Sequence, residues 1–238
     1  MTSDLYFTCY SSSSVDPVIT LLSSLPQNAP STPDADGRTP LHHACAGGKY
    51  ETVKYLLSLP SVSPITTDAS LMTPLASAAS AGAPAELIQL LLERGADANA
   101  QDEQGCIPLH RHKGRVHIVR ALASATNNIN AKDKTGVTPL HRAAGGGHVE
   151  ALRALLLMKA DPYAVDCEGN TPLHFAAEEV RIDCVVELIE AAGHAAAGAE
   201  NIHKKIPADL AKGESIDARR VRASLNDAVL LAKKELHQ

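Results

Sequence analysis

Histidine and cysteine lie close together at two places in this 238-residue chain, His42-His43-x-Cys45 and His110-x-His112 with His117 nearby. These residue types ligate zinc and related metal ions, but a closed site needs about four convergent ligands. The first histidine of each group also belongs to a tetrapeptide that recurs along the chain, which gives it a structural role in bonding the backbone and a threonine hydroxyl near a turn. Gly145-Gly-Gly147 resembles a phosphate cradle but lacks the Gly-Lys-Ser/Thr of one, and reads as a turn between helices. Catalysis would need a nucleophile beside a base and an orienting group, or paired carboxylates in a cleft. Ser, Asp and His recur here by period and not singly. No catalytic residue, metal ligand or cofactor site is therefore expected, and the chain is not expected to be an enzyme.

The recurring tetrapeptide reads Thr39-Pro40-Leu41-His42, Thr73-Pro74-Leu75-Ala76, Ile107-Pro108-Leu109-His110, Thr138-Pro139-Leu140-His141, Thr171-Pro172-Leu173-His174 and, degenerate, Ile206-Pro207-Ala208-Asp209. Successive starts are 34, 34, 31, 33 and 35 residues apart. Threonine can cap a helix N-terminus by accepting a backbone N–H bond, and proline suits the first helical position, where its missing N–H costs nothing. Each copy therefore starts a helix. Upstream stand Asp34/Gly37, Asp102/Gly105, Asp133/Gly136 and Asp166/Gly169, with glycine supplying the positive φ of a tight turn. Downstream, Tyr50, Val53, Leu56 and Leu57, then Val149, Leu152, Leu155 and Leu156, then Ile182, Val185, Leu188 and Ile189 make one apolar stripe per second helix. No single unit can bury such a stripe, so neighbours must stack.

A turn followed by two antiparallel helices at this period resembles the ankyrin repeat. The expected fold is all-α, an ankyrin-repeat solenoid of about seven repeats with short β-hairpin tips. It forms a single domain over 1–238: an N-terminal capping repeat and loop over 1–33, five internal repeats over 34–200, and a C-terminal capping repeat and helix over 201–238. In the first cap, Leu5 to Cys9 and Val15 to Leu25 are expected helices around a serine turn, followed by a loop from Pro26 to Pro33. Ile216 to Leu236 is the expected final helix, with a frayed tail. From His141 to Val149 is eight positions but from His110 to Val116 only six, so the first helix of that repeat lacks two residues. Two residues turn a helix by about 200°, and this inner helix is expected to be short or irregular.

Formal net charge is -5, with 22 Lys and Arg against 27 Asp and Glu, and aromatic content is 3% with no Trp. That balance disfavours nucleic acid, which wants a basic surface and aromatic stacking platforms. The five cysteines suit reduced thiols inside a cell. With no charged-then-apolar leader, membrane-length apolar run or Asn-X-Ser/Thr acceptor, a monomer of cytoplasm and nucleus without nucleic-acid or membrane partners is expected. The candidate protein-binding residues lie on tips and inner helices, on the expected concave face: Asp36, Arg38, Lys49, Glu103, Arg111, Lys113, Lys134, Arg142, Glu168, Glu178, Glu179 and Arg181. Mixed charges along one groove point to a charged protein partner.

Three stretches resemble the gankyrin family of proteasome regulatory-particle assembly chaperones. They are Asn99-Ala-x4-Gly105-Cys106-x-Pro108-Leu109-His110, Asp166-x-Glu168-Gly-Asn-Thr-Pro-Leu-His174 with Glu178-Glu179-Val180-Arg181 behind it, and Lys205-x-Pro207-x-x-x-Ala211-Lys212-Gly213. The resemblance implies a chaperone that clamps the C-terminal domain of one AAA ATPase subunit of the base. Asp36, Arg38, Lys113, Glu178 and Glu179 match that family's contact positions. Phe175-Ala-Ala-Glu-Glu179 lacks the Leu and Cys of the family's retinoblastoma-binding motif, so that activity is not expected. The alternative is an ankyrin adaptor or inhibitor of a signalling or transcription protein.

Overall fold

The structure is a computed structural model that describes residues 2–235. Among the described residues it consists of thirteen α-helices and three short 3₁₀ turns, with no strand. The chain opens with α1 (Thr2–Ser11), α2 (Asp16–Ser23) and a 3₁₀ turn (Ala29–Ser31). Helix pairs follow: α3 (Pro40–Ala46) with α4 (Tyr50–Leu56), and α5 (Pro74–Ala81) with α6 (Ala85–Glu93). Next come a 3₁₀ turn (Pro108–Arg111) with α7 (Val116–Ala125), α8 (Pro139–Gly145) with α9 (Val149–Leu157), and α10 (Pro172–Glu178) with α11 (Ile182–Ala192). A 3₁₀ turn (His194–Gly198), α12 (Pro207–Leu210) and α13 (Ile216–Glu235) close the chain. Leu236 and the expected frayed tail lie outside the described residues. No described helix is long and apolar enough to cross a membrane.

Every motif copy starts its helix with proline at the first turn, where no intrahelical N–H bond is forgone. The helices form two compact units. One holds the described residues up to His112 together with Arg120–Asn127; the other holds Lys113–Val119 together with the described residues from Asn128. In the first unit α1, α3, α5 and the Pro108–Arg111 turn pack in succession, and in the second α8, α10 and α12 do. A Cβ on Gly47 would sit 2.2 Å from the carbonyl oxygen of Tyr10, so α3 can meet α1 only through glycine there.

The second helices bury Val53 and Leu56, Leu152 and Leu155, and Val185 and Leu188 completely or nearly so. The outer ends of the expected stripes, Leu57, Leu156 and Ile189, are only half-buried, and small side chains at Thr52, Ala151 and Cys184 complete the buried face instead. Each buried leucine of this kind is worth about 2–5 kcal/mol against alanine. In α13, Ala218, Val221, Leu225 and Ala228 are buried, whereas Leu231 is exposed.

The repeat that lacks two residues has no inner α-helix. Pro108–Arg111 makes a 3₁₀ turn of four residues where α8 and α10 have seven each. Lys113 and Gly114 then both take left-handed φ, 42° and 78°, to reach α7. Leu109, Ile118 and Leu122 remain fully buried, so the repeat keeps its apolar anchors.

Candidate functional site

The tips are built on one carboxylate each. Oδ1 of Asp34 accepts the backbone N–H of Asp36 and Arg38, and Asp68, Asp102, Asp133 and Asp166 repeat this with the second and fourth residues after them. Asn201 does the same with His203 and Lys205. The turns close as hairpins do, with the Asp133 N–H donating to Val137 O at 2.9 Å and the Gly136 N–H to Asp133 O. They contain no strand, because neighbouring tips are joined by single main-chain bonds, such as Ala69 N–H to Asp36 O at 2.9 Å. Two tips lack glycine: Leu71 and Lys204 occupy the left-handed position at φ 60° and 58°. The Asp/Gly signature therefore missed the tips at Asp68 and Asn201; the aspartate or asparagine five residues before the motif is the better marker.

In three of the tips the second carboxylate oxygen takes an arginine. Arg142 donates to Asp133 Oδ2 at 3.0 Å, Arg111 to Asp102 Oδ2 through Nε at 3.1 Å, and Arg38 faces Asp68 Oδ2 at 3.4 Å. His43 Nε2 stands 2.7 Å from Asp34 Oδ2. Burial alone would push the Asp133 carboxyl up; the Thr135 hydroxyl, the N–H groups of Thr135 and Val137, and Arg142 outweigh it and hold it below the ordinary range. Asp34 is held low in the same way, burial being outweighed by His43 and the N–H groups of Arg38 and Asp36.

The motif histidines stitch one repeat to the next. Nε2 of His42 lies 3.0 Å from Met72 O, of His141 3.0 Å from Asn170 O, and of His174 3.0 Å from Lys205 O. A carbonyl oxygen only accepts, so Nε2 carries the proton and Nδ1 is the acceptor. Nδ1 takes the N–H of the threonine at the helix start, 3.1 Å in the His42 case, with the threonine hydroxyl 2.9 Å away. The expected cap thus runs the other way in these copies: the ring caps the threonine backbone. At Thr73, where alanine replaces histidine, the threonine oxygen accepts the N–H of Ala76. Burial pushes the pKa of His42, His141 and His174 down, keeping the rings neutral. Both nitrogens of His42 are thereby used, and Cys45 is buried with its thiol pKa pushed up by desolvation.

The candidate contact residues divide by environment. In the first unit Asp36 and Glu103 are exposed, Lys49 is half-buried at the start of α4, and Arg38 and Arg111 are engaged with Asp68 and Asp102. In the second unit Lys113, Lys134, Arg142, Glu168, Glu178, Glu179 and Arg181 are exposed. Arg142 is tied to Asp133, and Arg181 Nε donates to Gly145 O at 3.1 Å with Glu179 at 3.9 Å. Gly147 makes the seat for Arg181, since a Cβ there would lie 2.8 Å from its Cδ. The glycine triplet thus seats an arginine.

A family model described as ankyrin repeats matches three copies, over residues 5–102 and 110–200. The chain belongs to the ankyrin-repeat family. Ankyrin repeats are protein-interaction modules and generally not catalytic, which suits a surface built of anchored tips. Among curated proteins the chain is similar to the E3 ubiquitin-protein ligase KEG of Arabidopsis thaliana, 27% identical over 160 residues. The match spans 67% of this chain but 8% of that ligase.

Proposed function

We propose that this ankyrin chain is a non-enzymatic scaffold that binds a charged protein segment, and that its partner is the C-terminal domain of one AAA ATPase subunit of the proteasome base, whose assembly it chaperones. The observation that carries the binding role is the division of labour at the tips: carboxylates and histidines hold the backbone, leaving Asp36, Glu103 and Glu168 exposed on them, with Glu178 and Glu179 exposed at the end of α10. The finer reading is supported by the three sequence stretches that resemble gankyrins and by the exposure of Glu178 and Glu179, two of the matching positions. As a chaperone of this kind the chain works in cytoplasm and nucleus as a monomer. Co-purification tests it: one proteasomal ATPase without mature core particle is the expected partner, and an unrelated dominant partner refutes the finer reading.

A second reading, an adaptor for another signalling protein, draws on different observations. Arg38, Arg111 and Arg142 are engaged within the chain, which leaves fewer basic groups for an acidic patch of the ATPase. The similar ubiquitin ligase carries the matched stretch as a small part of a much longer protein, an arrangement suited to recruitment.

A further inference from the structure

Leu71 stands where four other tips have glycine, Gly37, Gly105, Gly136 and Gly169, three residues after the anchoring aspartate. It takes φ 60°, a region in which a leucine Cβ is crowded by its own backbone. At three of the glycine tips the next tip also stands close: a Cβ on Gly37, Gly136 or Gly169 would lie 2.7, 2.8 or 3.1 Å from one of its backbone nitrogens. Nor does the side chain repay this by burial, since Leu71 is 49% exposed. Of the five non-glycine residues at positive φ among the described residues, the other apolar one, Val180, is half-buried, and Lys204 pairs with Glu200 at 3.2 Å. A lone exposed leucine is ordinary. One held at a strained turn, where glycine would serve the fold better, points to use.

The charges around it indicate what kind of partner. The Leu71 tip is bonded on one side to Asp36 O through Ala69 N–H and on the other to Glu103 N–H through Ser70 O, both at 2.9 Å. Asp36 and Glu103 are exposed, and neither carboxylate has an ion pair among the described residues. The other tip groups nearby are engaged: Arg38 pairs with Asp68, Arg111 with Asp102, and His43 Nε2 hydrogen-bonds Asp34 Oδ2. An apolar knob flanked by two unpaired acids remains.

We propose that this edge of the first unit seats a protein segment in which an apolar side chain is flanked on both sides by Lys or Arg. The apolar group packs on Leu71 and the cations meet Asp36 and Glu103. The inference rests on the protein-binding reading above and specifies the chemistry of its partner.

The probe is a fluorescein-labelled peptide of about twelve residues with Leu-Phe at its centre and two lysines on each side. Two controls replace Leu-Phe by Ser-Ser, or the lysines by glutamates. Leu71→Gly is expected to weaken binding about tenfold while leaving the melting temperature equal or raised, because glycine suits the left-handed turn. The double variant Asp36→Lys/Glu103→Lys and high salt should each abolish it, and Ile65→Ser, an exposed apolar site elsewhere, should leave it unchanged. Absence of saturable binding, equal binding by Leu71→Gly, equal binding of the glutamate peptide, or a fall of more than about 5 °C in the Leu71→Gly melt overturns the inference. If the ATPase domain binds wild type and Leu71→Gly alike, only this inference fails. If no protein partner binds the intact chain, the scaffold reading fails with it.

Discussion

His141 shows how one side chain joins two repeats: its ring accepts the Thr138 N–H at 3.2 Å on one side and donates to Asn170 O at 3.0 Å on the other. His141→Ala leaves the Thr138 N–H buried without its partner and cuts the tie to Asn170 O, which keeps the Asp166 N–H, and should cost about 1–3 kcal/mol in chemical denaturation. Neutral rings also set a pH dependence. With the folded pKa of His42, His141 and His174 lowered, the unfolded chain binds more protons below about pH 6.5. Stability should therefore be complete above that pH and fall as pH drops toward the folded pKa, seen as a declining melting temperature from pH 7.5 to 5. Asp34 and Asp133 are lowered carboxylates, whose stabilisation is present above their unfolded pKa and lost only below about pH 4, outside this window. At Asp133 the two oxygens can be separated experimentally. Asp133→Asn keeps an oxygen for the Thr135 and Val137 N–H groups, as Asn201 does in its own tip, and loses the Arg142 ion pair. Because that pair is half-exposed, the loss should be about 0–1 kcal/mol, whereas Asp133→Ala should cost about 1–3 kcal/mol.

The Pro108–Arg111 turn is where missing residues become a change of structure. Six positions from His110 to Val116 cannot complete the two-turn helix of α8 or α10, so the chain makes one 3₁₀ turn and crosses to α7 through Lys113 and Gly114 at positive φ. Gly114 is needed for that crossing, since a Cβ would sit 2.4 Å from His148 Nδ1. Fewer helical bonds guard this segment, and amide exchange over residues 107–122 should be faster than over 138–156; equal or slower exchange would contradict it. Helix starts, the second helices and this irregular repeat could all be read from the chain, because proline placement, apolar spacing and a residue count act locally. The tips at Leu71 and Lys204 could not be found from glycine, since the signal was the aspartate or asparagine whose carbonyl or carboxylate holds the turn. Charge type alone also failed to separate Asp36 and Glu103, which are exposed and have no ion pair among the described residues, from Arg111 and Arg142, which close their own tips. That distinction depends on what each side chain meets nine residues back along the chain.

Across the chain, buried polar groups are satisfied: among the described residues no buried side-chain nitrogen or oxygen lacks a hydrogen-bond partner. Selectivity must then come from exposed groups, and four of the five cysteines are buried away from it, with Cys9 pushed up to about 12 and Cys184 to about 11 by burial. The most direct test of the scaffold account is calorimetric titration of the ATPase C-terminal domain into the intact chain and into Glu178→Lys/Glu179→Lys, at low and high salt, with a melt of each. Both glutamates are exposed, so the double variant should melt with the wild type. The account predicts binding by wild type that weakens with salt, and a modest further loss on charge reversal, about 1–2 kcal/mol for two exposed pairs. Unchanged affinity in the reversed variant at low salt would contradict the assigned contact residues, and no binding by wild type would contradict the partner.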